Sequence, residues 1–196
     1  NGKHALDGAS ECMKRLHQDD KKCVILSNTS SLSQSTLDQL PNLGFNPAHF
    51  RGAVTSGEEA SKYISQTFGQ PNNNEKRRNN KALWITWDKQ KRPDPLDFFA
   101  ACGNIDPTCE VEDADFILLH GCQTIRGKES EVCSSLGSFM ETGQLDDIDP
   151  ILKQCQKRGL PMVCANPDFI VVMSDGSTGH MPGKIARRYE EMGGEC

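Results

Sequence analysis

The sequence lacks the features that would place it among membrane or nucleic-acid-binding proteins. No apolar run is longer than five residues, whereas a membrane-spanning helix needs roughly 18–20, so we expect no membrane span. The 27 acidic residues outnumber the 22 basic ones. This balance offers no general attraction to a phosphate backbone, so we expect no nucleic-acid partner. The sequence also has no Cys-x-x-Cys pair, which argues against a zinc ribbon or a thiol redox motif.

Cysteine, by contrast, is abundant. The nine cysteines form an odd number, so at least one cannot pair within the chain. Several fall at positions typical of buried strand or helix faces, where cysteine acts as a small apolar residue. A chain of this length can also bury about 70% of its unfolded surface without covalent links. We therefore predict unpaired core cysteines and an intracellular, reducing compartment, either the cytoplasm or an organelle matrix.

The two ends of the sequence predict a piece of a longer protein. The length of 196 residues allows one domain, or one domain with an insert. The chain opens with Asn1-Gly2-Lys3, and it stops at Gly193-Gly194-Glu195-Cys196, just after the glycine pair that would end a helix. We expect the chain to continue beyond both ends.

Helix and strand patterns alternate over the first 68 residues. Apolar spacing predicts helices over 7–18, 32–40 and 55–68, with Ser56 as the N-cap of the third. Short apolar runs predict strands at 23–26 and 50–54. The order αβαβα is typical of a parallel sheet covered by helices, which predicts an α/β fold.

A second set of elements follows a polar, asparagine-rich segment at 69–81, which we interpret as a loop. Alternation resumes, so the sequence predicts two α/β units. The predicted strands are 82–87, 115–120, 161–165 and 169–173, and the predicted helices are 96–101, 147–158 and 183–192. The polar stretch 121–143 predicts one helix near Glu129–Leu136, and Ser174–Gly176 predicts a turn.

The strand Cys23–Leu26 ends in a cluster of small polar residues. Ser27, Asn28 and Thr29 follow the apolar run directly. Ligands of α/β proteins bind at the carboxyl ends of parallel strands, and hydroxyl and backbone N–H groups there suit a phosphate. An ordinary turn uses the same residues, so this alternative stays open. Of the five histidines, His120 alone stands near a plausible cleft, at the end of an apolar strand.

Seven short segments, in the same order along the chain, carry a resemblance to a known family. They are Asp7-Gly8-Ala9, Val24-Ile25-Leu26-Ser27-Asn28-Thr29-Ser30, Leu43-Gly44-Phe45, Val54-Thr55-Ser56-Gly57-Glu58, Ala114-Asp115-Phe116-Ile117-Leu118-Leu119-His120-Gly121, Cys164-Ala165-Asn166-Pro167-Asp168 and Ile185-Ala186-x-x-Tyr189-Glu190-x-x-Gly193-Gly194. With these segments the sequence resembles the class IIA branch of the haloacid dehalogenase superfamily of phosphohydrolases, which contains NagD-like and nitrophenyl-phosphatase-like proteins.

The resemblance implies a Rossmann-like core interrupted by a large α/β cap. It places the first part of the core at 1–60, the cap at 61–182 and a return to the core at 183–196. Ser27 matches the second family motif, whose hydroxyl holds phosphoryl oxygens, and Asn28 and Thr29 lie beside it. Asn166, Pro167 and Asp168 would lie at the junction of cap and core.

The first, third and fourth family motifs have no match in this sequence. By the resemblance, no catalytic residue and no metal ligand lies in this chain, although the family implies magnesium as cofactor. We expect the chain alone to be inactive, and two hypotheses stay open. One is a phosphatase, or a fragment of one, that acts on a small phosphorylated substrate through an aspartyl-phosphate. The other is a non-catalytic accessory subunit of a larger assembly.

The resemblance leaves open a homodimer or a larger protein assembly. It also implies that strands absent from this sequence flank the strand that ends at Ser27. An uncovered strand exposes apolar side chains and unpaired backbone groups that favour aggregation. We therefore expect residues 1–196 alone to be poorly soluble or partly unfolded.

Overall fold

The structure, a computed structural model, describes residues 5–69, 80–88, 95–128, 131–173 and 176–196. Most of the predicted loop at 69–81 and most of the predicted turn at Ser174–Gly176 lie outside the described residues. In the described part of the chain, no helix is both long and apolar enough to cross a membrane.

Helices and strands alternate along the chain much as predicted. The helices are α1 (Ala9–Gln18), α2 (Ser33–Asp38), α3 (Ser56–Thr67), α4 (Pro95–Ala101), α5 (Phe139–Thr142), α6 (Asp149–Lys157) and α7 (Pro182–Glu191), with short 3-10 turns at Pro41–Leu43, Pro47–His49 and Val111–Asp113. The strands are β1 (Cys23–Ser27), β2 (Phe50–Thr55), β3 (Lys81–Thr86), β4 (Asp106–Thr108), β5 (Phe116–Leu119), β6 (Thr124–Arg126), β7 (Val132–Ser135), β8 (Met162–Cys164), β9 (Ile170–Val172) and β10 (Thr178–His180). The predicted α/β class is confirmed.

The first unit is a parallel pair of strands with helices beside it. β1 pairs with β2 so that Leu26 lies opposite Val54 and Ser27 lies opposite Thr55. Both strands therefore end at the same edge. Because α3 begins directly after β2, its first turn also lies at that edge.

The second unit is a mixed sheet in the order β7-β6-β3-β5-β8, with β4 also paired to β3. Side chains alternate along the central strand β3. Leu83 and Ile85 join the core cluster on one face, while Ala82 and Trp84 join the cluster on the other. Both faces of the sheet are thus buried, and each needs a covering layer of helices.

Helix α3 connects the two units. It starts at the end of β2. Its Ile64 is fully buried in the core cluster that also contains Trp84 of β3 and Phe98 of α4. The predicted division between residues 60 and 61 falls inside this helix. A single helix therefore belongs to both units.

Helices α6 and α7 cover the opposite face of the sheet. Ile185 and Tyr189 of α7 are fully buried in the cluster that contains Leu83 and Ile85. Arg188 binds the carboxylate of Asp149 at the start of α6 through two hydrogen bonds, of 3.1 and 2.7 Å. The last helix thus packs on the six-stranded sheet. The proposed boundaries at 60, 182 and 196 stay a prediction.

The polar stretch 121–143 differs from its prediction. Its residues 132–135 form the edge strand β7, paired antiparallel with β6, where the sequence predicted a helix over Glu129–Leu136. Val132 and Cys133 are exposed, so the strand has no buried face that would show as alternating apolar and polar residues in the sequence. Strand β10, which pairs with β9, was also missed, because a three-residue strand carries little pattern.

A second correction concerns the cysteines. Cys102, Cys122 and Cys155 are buried, as predicted, but Cys109 and Cys133 form a disulfide with a Cα–Cα distance of 6.0 Å. Strands β4 and β6 lie on the same side of β3, and β7 pairs with β6. Cys109, which follows β4, therefore comes close to Cys133 in β7. Pairings of this kind depend on tertiary topology and cannot be deduced from cysteine spacing.

The disulfide predicts a measurable contribution to stability. Cross-linking residues 24 apart removes loop entropy from the unfolded chain, worth about 3 kcal/mol. We expect Cys133→Ser to lower the free energy of unfolding by about that amount, measured by urea denaturation under non-reducing conditions. Cys12→Ser, which removes an exposed free thiol, is the control. Equal stabilities of the two variants would contradict the disulfide.

One face of the β1–β2 pair is open to solvent. Leu26 is 85% exposed, Val24 57% and Val54 41%. The three side chains form a continuous apolar face, the arrangement that promotes association of sheets.

This face predicts a solubility effect. We expect Val24→Lys to raise the fraction of monomer in light-scattering and size-exclusion measurements, because it places a charge on the apolar face. Leu6→Lys, which changes a residue that is 83% exposed and outside the face, should have little effect. A wild-type chain that is fully monomeric and melts cooperatively would refute this interpretation and the expected poor solubility.

Candidate functional site

The candidate site is the turn over Ser27–Ser31, which follows β1. Within this turn Ser27 Oγ accepts a hydrogen bond from the Thr29 backbone N–H at 3.3 Å, and Thr29 Oγ1 accepts one from the Ser31 N–H at 3.3 Å. Since Ser27 Oγ is the acceptor in its contact, its proton can still be donated to a ligand oxygen.

The first turn of α3 holds the candidate site in place. The Gly57 N–H donates to the Thr29 carbonyl at 3.0 Å, and Thr55 Oγ1 donates to the Ser31 carbonyl at 2.8 Å. A side chain at 57 would collide with the Ser30 carbonyl, so the close approach requires glycine. Thr55 is also the N-cap of α3, because its Oγ1 accepts the Glu58 N–H at 3.1 Å. The prediction of Ser56 as N-cap was therefore wrong by one residue.

An open cleft of about 410 Å³ lies at this edge and is lined by Leu26, Ser27, Asn28 and Ser56. Two hydroxyls and an amide thus face one space beside the first turn of a 12-residue helix. Hydrogen-bond donors near a helix N-terminus favour an anion. Thr29, the third predicted phosphate-binding residue, is not among the residues that line the cleft. Its Oγ1 accepts the Ser31 N–H within the turn, and its carbonyl accepts the Gly57 N–H at the start of α3.

The predicted junction residues also lie at this edge. The Asn28 side-chain amide donates to the Asp168 carboxylate, so one predicted phosphate-binding residue contacts one predicted junction residue. Asn166 is buried, and its Oδ1 accepts the Asp168 N–H at 3.0 Å. The Gly183 N–H donates to the Asp168 carbonyl at 2.9 Å, and a side chain at 183 would strike the Pro167 carbonyl.

Glu58 lies in the first turn of α3, beside the candidate site. The hydrogen bond from the Ser33 backbone N–H lowers the pKa of its carboxyl, and the Ser33 hydroxyl and Lys62 act in the same direction against the opposing effect of burial. The carboxylate is therefore a structural anchor between the start of α2 and the start of α3.

The six-stranded sheet contacts the candidate site through Ser30. Trp87 Nε1 donates to Ser30 Oγ at 3.1 Å, and His120 Nε2 lies 3.2 Å from the Ser30 carbonyl. The sequence indicated His120 as close to a cleft but missed Trp87 and Ser30. Its position in the sequence could have indicated Trp87, because it directly follows strand β3, just as His120 follows β5 and Ser27 ends β1.

Neither a metal nor a thiol nucleophile is suggested by the described part of the chain. Within it, no three histidine, cysteine or acidic side chains cluster as metal ligands. The hydroxyls and amide of the cleft are a poor donor set for magnesium, which prefers carboxylates. Burial raises the pKa of the Cys164 thiol to about 12, so this cysteine near Asn166 stays protonated.

Comparison with known proteins relates the first part of the chain to one family. Residues 1–91 match the family described as haloacid dehalogenase-like hydrolase. The first 91 residues are thus similar to haloacid dehalogenase-like hydrolases. No curated protein matches it.

Solved structures agree with this haloacid dehalogenase-like fold. A haloacid dehalogenase-like hydrolase from Brucella suis matches with a TM-score of 0.72 and 19% identity over 100% of this chain and 59% of its own. A p-nitrophenyl phosphatase from Archaeoglobus fulgidus matches with a TM-score of 0.56 and 18% identity over 97% and 59%. A glycerol phosphate phosphatase from Mycobacterium tuberculosis, in complex with calcium, matches with a TM-score of 0.57 and 19% identity over 100% and 48%.

The predicted family resemblance is thereby confirmed. The chain spans about three fifths of the first two structures that it matches.

The Glu58 anchor predicts a pH dependence. A carboxyl whose pKa is lowered by folding stabilises the folded state above its unfolded pKa, and this stability is lost as the pH falls through the lower, folded value. We expect Glu58→Gln to lower the free energy of unfolding at pH 7 by about 1 kcal/mol. The difference from wild type should shrink as the pH falls below the ordinary glutamate value of 4.5.

Urea denaturation at a series of pH values provides the measurement. Glu59→Gln is the matched control, because Glu59 lies in the same helical turn but has an exposed side chain that pairs with Lys62. A Glu58→Gln effect that does not change with pH would contradict the anchor role.

Proposed function

We propose that this chain is part of a phosphohydrolase that acts on a small phosphate monoester, with Ser27 and Asn28 binding the phosphoryl group. The observation that carries the proposal is the cleft that Ser27, Asn28 and Ser56 line together. The phosphatase names of several structures with the same fold support it.

In this proposal Ser27 donates its hydroxyl proton to a phosphoryl oxygen. The Asn28 amide nitrogen carries two N–H groups, so one can remain bonded to Asp168 while the other donates to a second phosphoryl oxygen. The six-stranded sheet would lie in the cap, predicted at 61–182, that closes over the substrate.

The chemical step belongs to groups beyond the described residues of this chain. By the family resemblance, an aspartate attacks phosphorus and a magnesium ion supports the reaction. The donor set of the cleft does not fit a magnesium site, so we derive no step through the metal. The contribution of this chain is the binding and orientation of the phosphoryl group.

Phosphate binding by Ser27 predicts a specific loss. We expect Ser27→Ala to weaken the affinity for inorganic phosphate by about tenfold, because a hydrogen bond to a charged group is lost. The measurement is a titration of backbone amide chemical shifts with phosphate. Ser10→Ala, which removes a hydroxyl bonded to Gly44 outside the cleft, should bind as wild type does. Equal affinities of the two variants would refute the assignment.

Catalysis itself is tested on the protein in its full length. Hydrolysis of p-nitrophenyl phosphate that falls in Ser27→Ala and persists in Ser10→Ala would support the phosphatase. Phosphate binding without any hydrolysis would instead favour the non-catalytic accessory subunit.

A further inference from the structure

Ser30 is held by side chains of the other unit at both of its oxygen atoms. It is only 5% exposed, and the groups that contact it, Trp87 and His120, are 3% and 4% exposed. Its hydroxyl accepts the Trp87 indole N–H, and its carbonyl lies within hydrogen-bond distance of His120. Buried polar contacts of this kind are costly to break, because the groups left behind lose both protein and water partners.

The contacts of His120 define its orientation. A carbonyl can only accept, so the ring must donate from Nε2 to the Ser30 carbonyl. In the neutral ring Nδ1 is then the acceptor, and Thr86 Oγ1 donates to it at 2.9 Å. Stacking on Phe98, with ring centroids 4.1 Å apart, holds the plane of the ring. Thr86 of β3 and Phe98 of α4 thus fix the orientation of the His120 ring that contacts the turn.

The other side of the turn is held by its own unit. The Thr29 carbonyl is bound by Gly57 and the Ser31 carbonyl by Thr55, both at the start of α3. Consecutive residues of one turn are thus bound alternately by the two units. Ser27 and Asn28, which face the cleft, precede this bound segment directly.

We propose that Trp87 and His120 are positioning residues that hold the turn Ser27–Ser31 against the six-stranded sheet and so set its affinity for phosphate. The effect on phosphate affinity rests on the proposed function, whereas the positioning of the turn does not. A displacement of the six-stranded sheet would move Ser30, and the turn would carry that movement to Ser27.

Trp87→Phe tests the indole contact, because it keeps an aromatic ring and removes the N–H. Trp84→Phe is its matched control. Trp84 lies three residues away in sequence, is fully buried, and its indole N–H has no hydrogen-bond partner among the described residues. Both variants remove the same atoms, so a difference between them reports the bond to Ser30.

His120→Gln and His120→Met form the second pair. Glutamine can still donate an amide N–H to the Ser30 carbonyl, whereas methionine has similar length and no donor. Rescue by glutamine would separate the hydrogen bond from simple packing.

Hydrogen exchange of the segment 27–31, followed by mass spectrometry on the full chain, measures the order of the turn. We expect Trp87→Phe and His120→Met to exchange about fivefold faster there, as expected for the loss of one hydrogen bond. Trp84→Phe and His120→Gln should remain near wild type. If Trp87→Phe fails to fold, Ser30→Ala removes the acceptor hydroxyl alone and should show the same acceleration.

Titration with inorganic phosphate gives the second measurement. We expect Trp87→Phe and His120→Met to bind phosphate about fivefold more weakly, with Trp84→Phe and His120→Gln unchanged. Unchanged exchange in both test variants would overturn the positioning role. Faster exchange with unchanged phosphate affinity would overturn the link to binding. A wild type that binds no phosphate would refute the proposed function, while the exchange data would still decide whether the turn is held.

Discussion

The burial of both faces of the six-stranded sheet is the constraint on which the rest of the structure depends. Strands β3 and β5 place apolar side chains alternately on two sides, so neither side can face water. Helices α6 and α7 cover one side. The other side is covered by α4 and by α3, and α3 comes from a different unit.

This double use of α3 links core packing to the candidate site. The middle of the helix buries Ile64 against the sheet, while its first turn binds the carbonyls of Thr29 and Ser31. The position of the turn after β1 therefore depends on how α3 packs its apolar face against the six-stranded sheet. Contacts from Trp87 and His120 to Ser30 strengthen the same connection from the side of the sheet.

The candidate site is small because several polar residues around it already have a structural role. Thr29 closes the turn, Asn166 orders the segment before α7, and Glu58 joins the starts of α2 and α3. Ser27 and Asn28 remain as the groups that face the cleft. A phosphate-binding role fits this arrangement, because anions are bound by a few donors at a strand end and a helix start rather than by many charges.

Local sequence patterns were enough to predict the order of elements and the position of the polar turn. Apolar residues recur at helical spacing in 9–18, 56–67 and 149–157, and they form continuous runs in β1 and β5. These patterns reflect local burial and are visible without tertiary structure. The position of Ser27 and Asn28 at the edge of the sheet was predictable, because a strand end places its polar residues there. The exposed strand β7, the pairing of Cys109 with Cys133 and the contacts of Ser30 were decided only by tertiary structure. Each depends on which distant segments become neighbours, and local residue patterns carry no information about that.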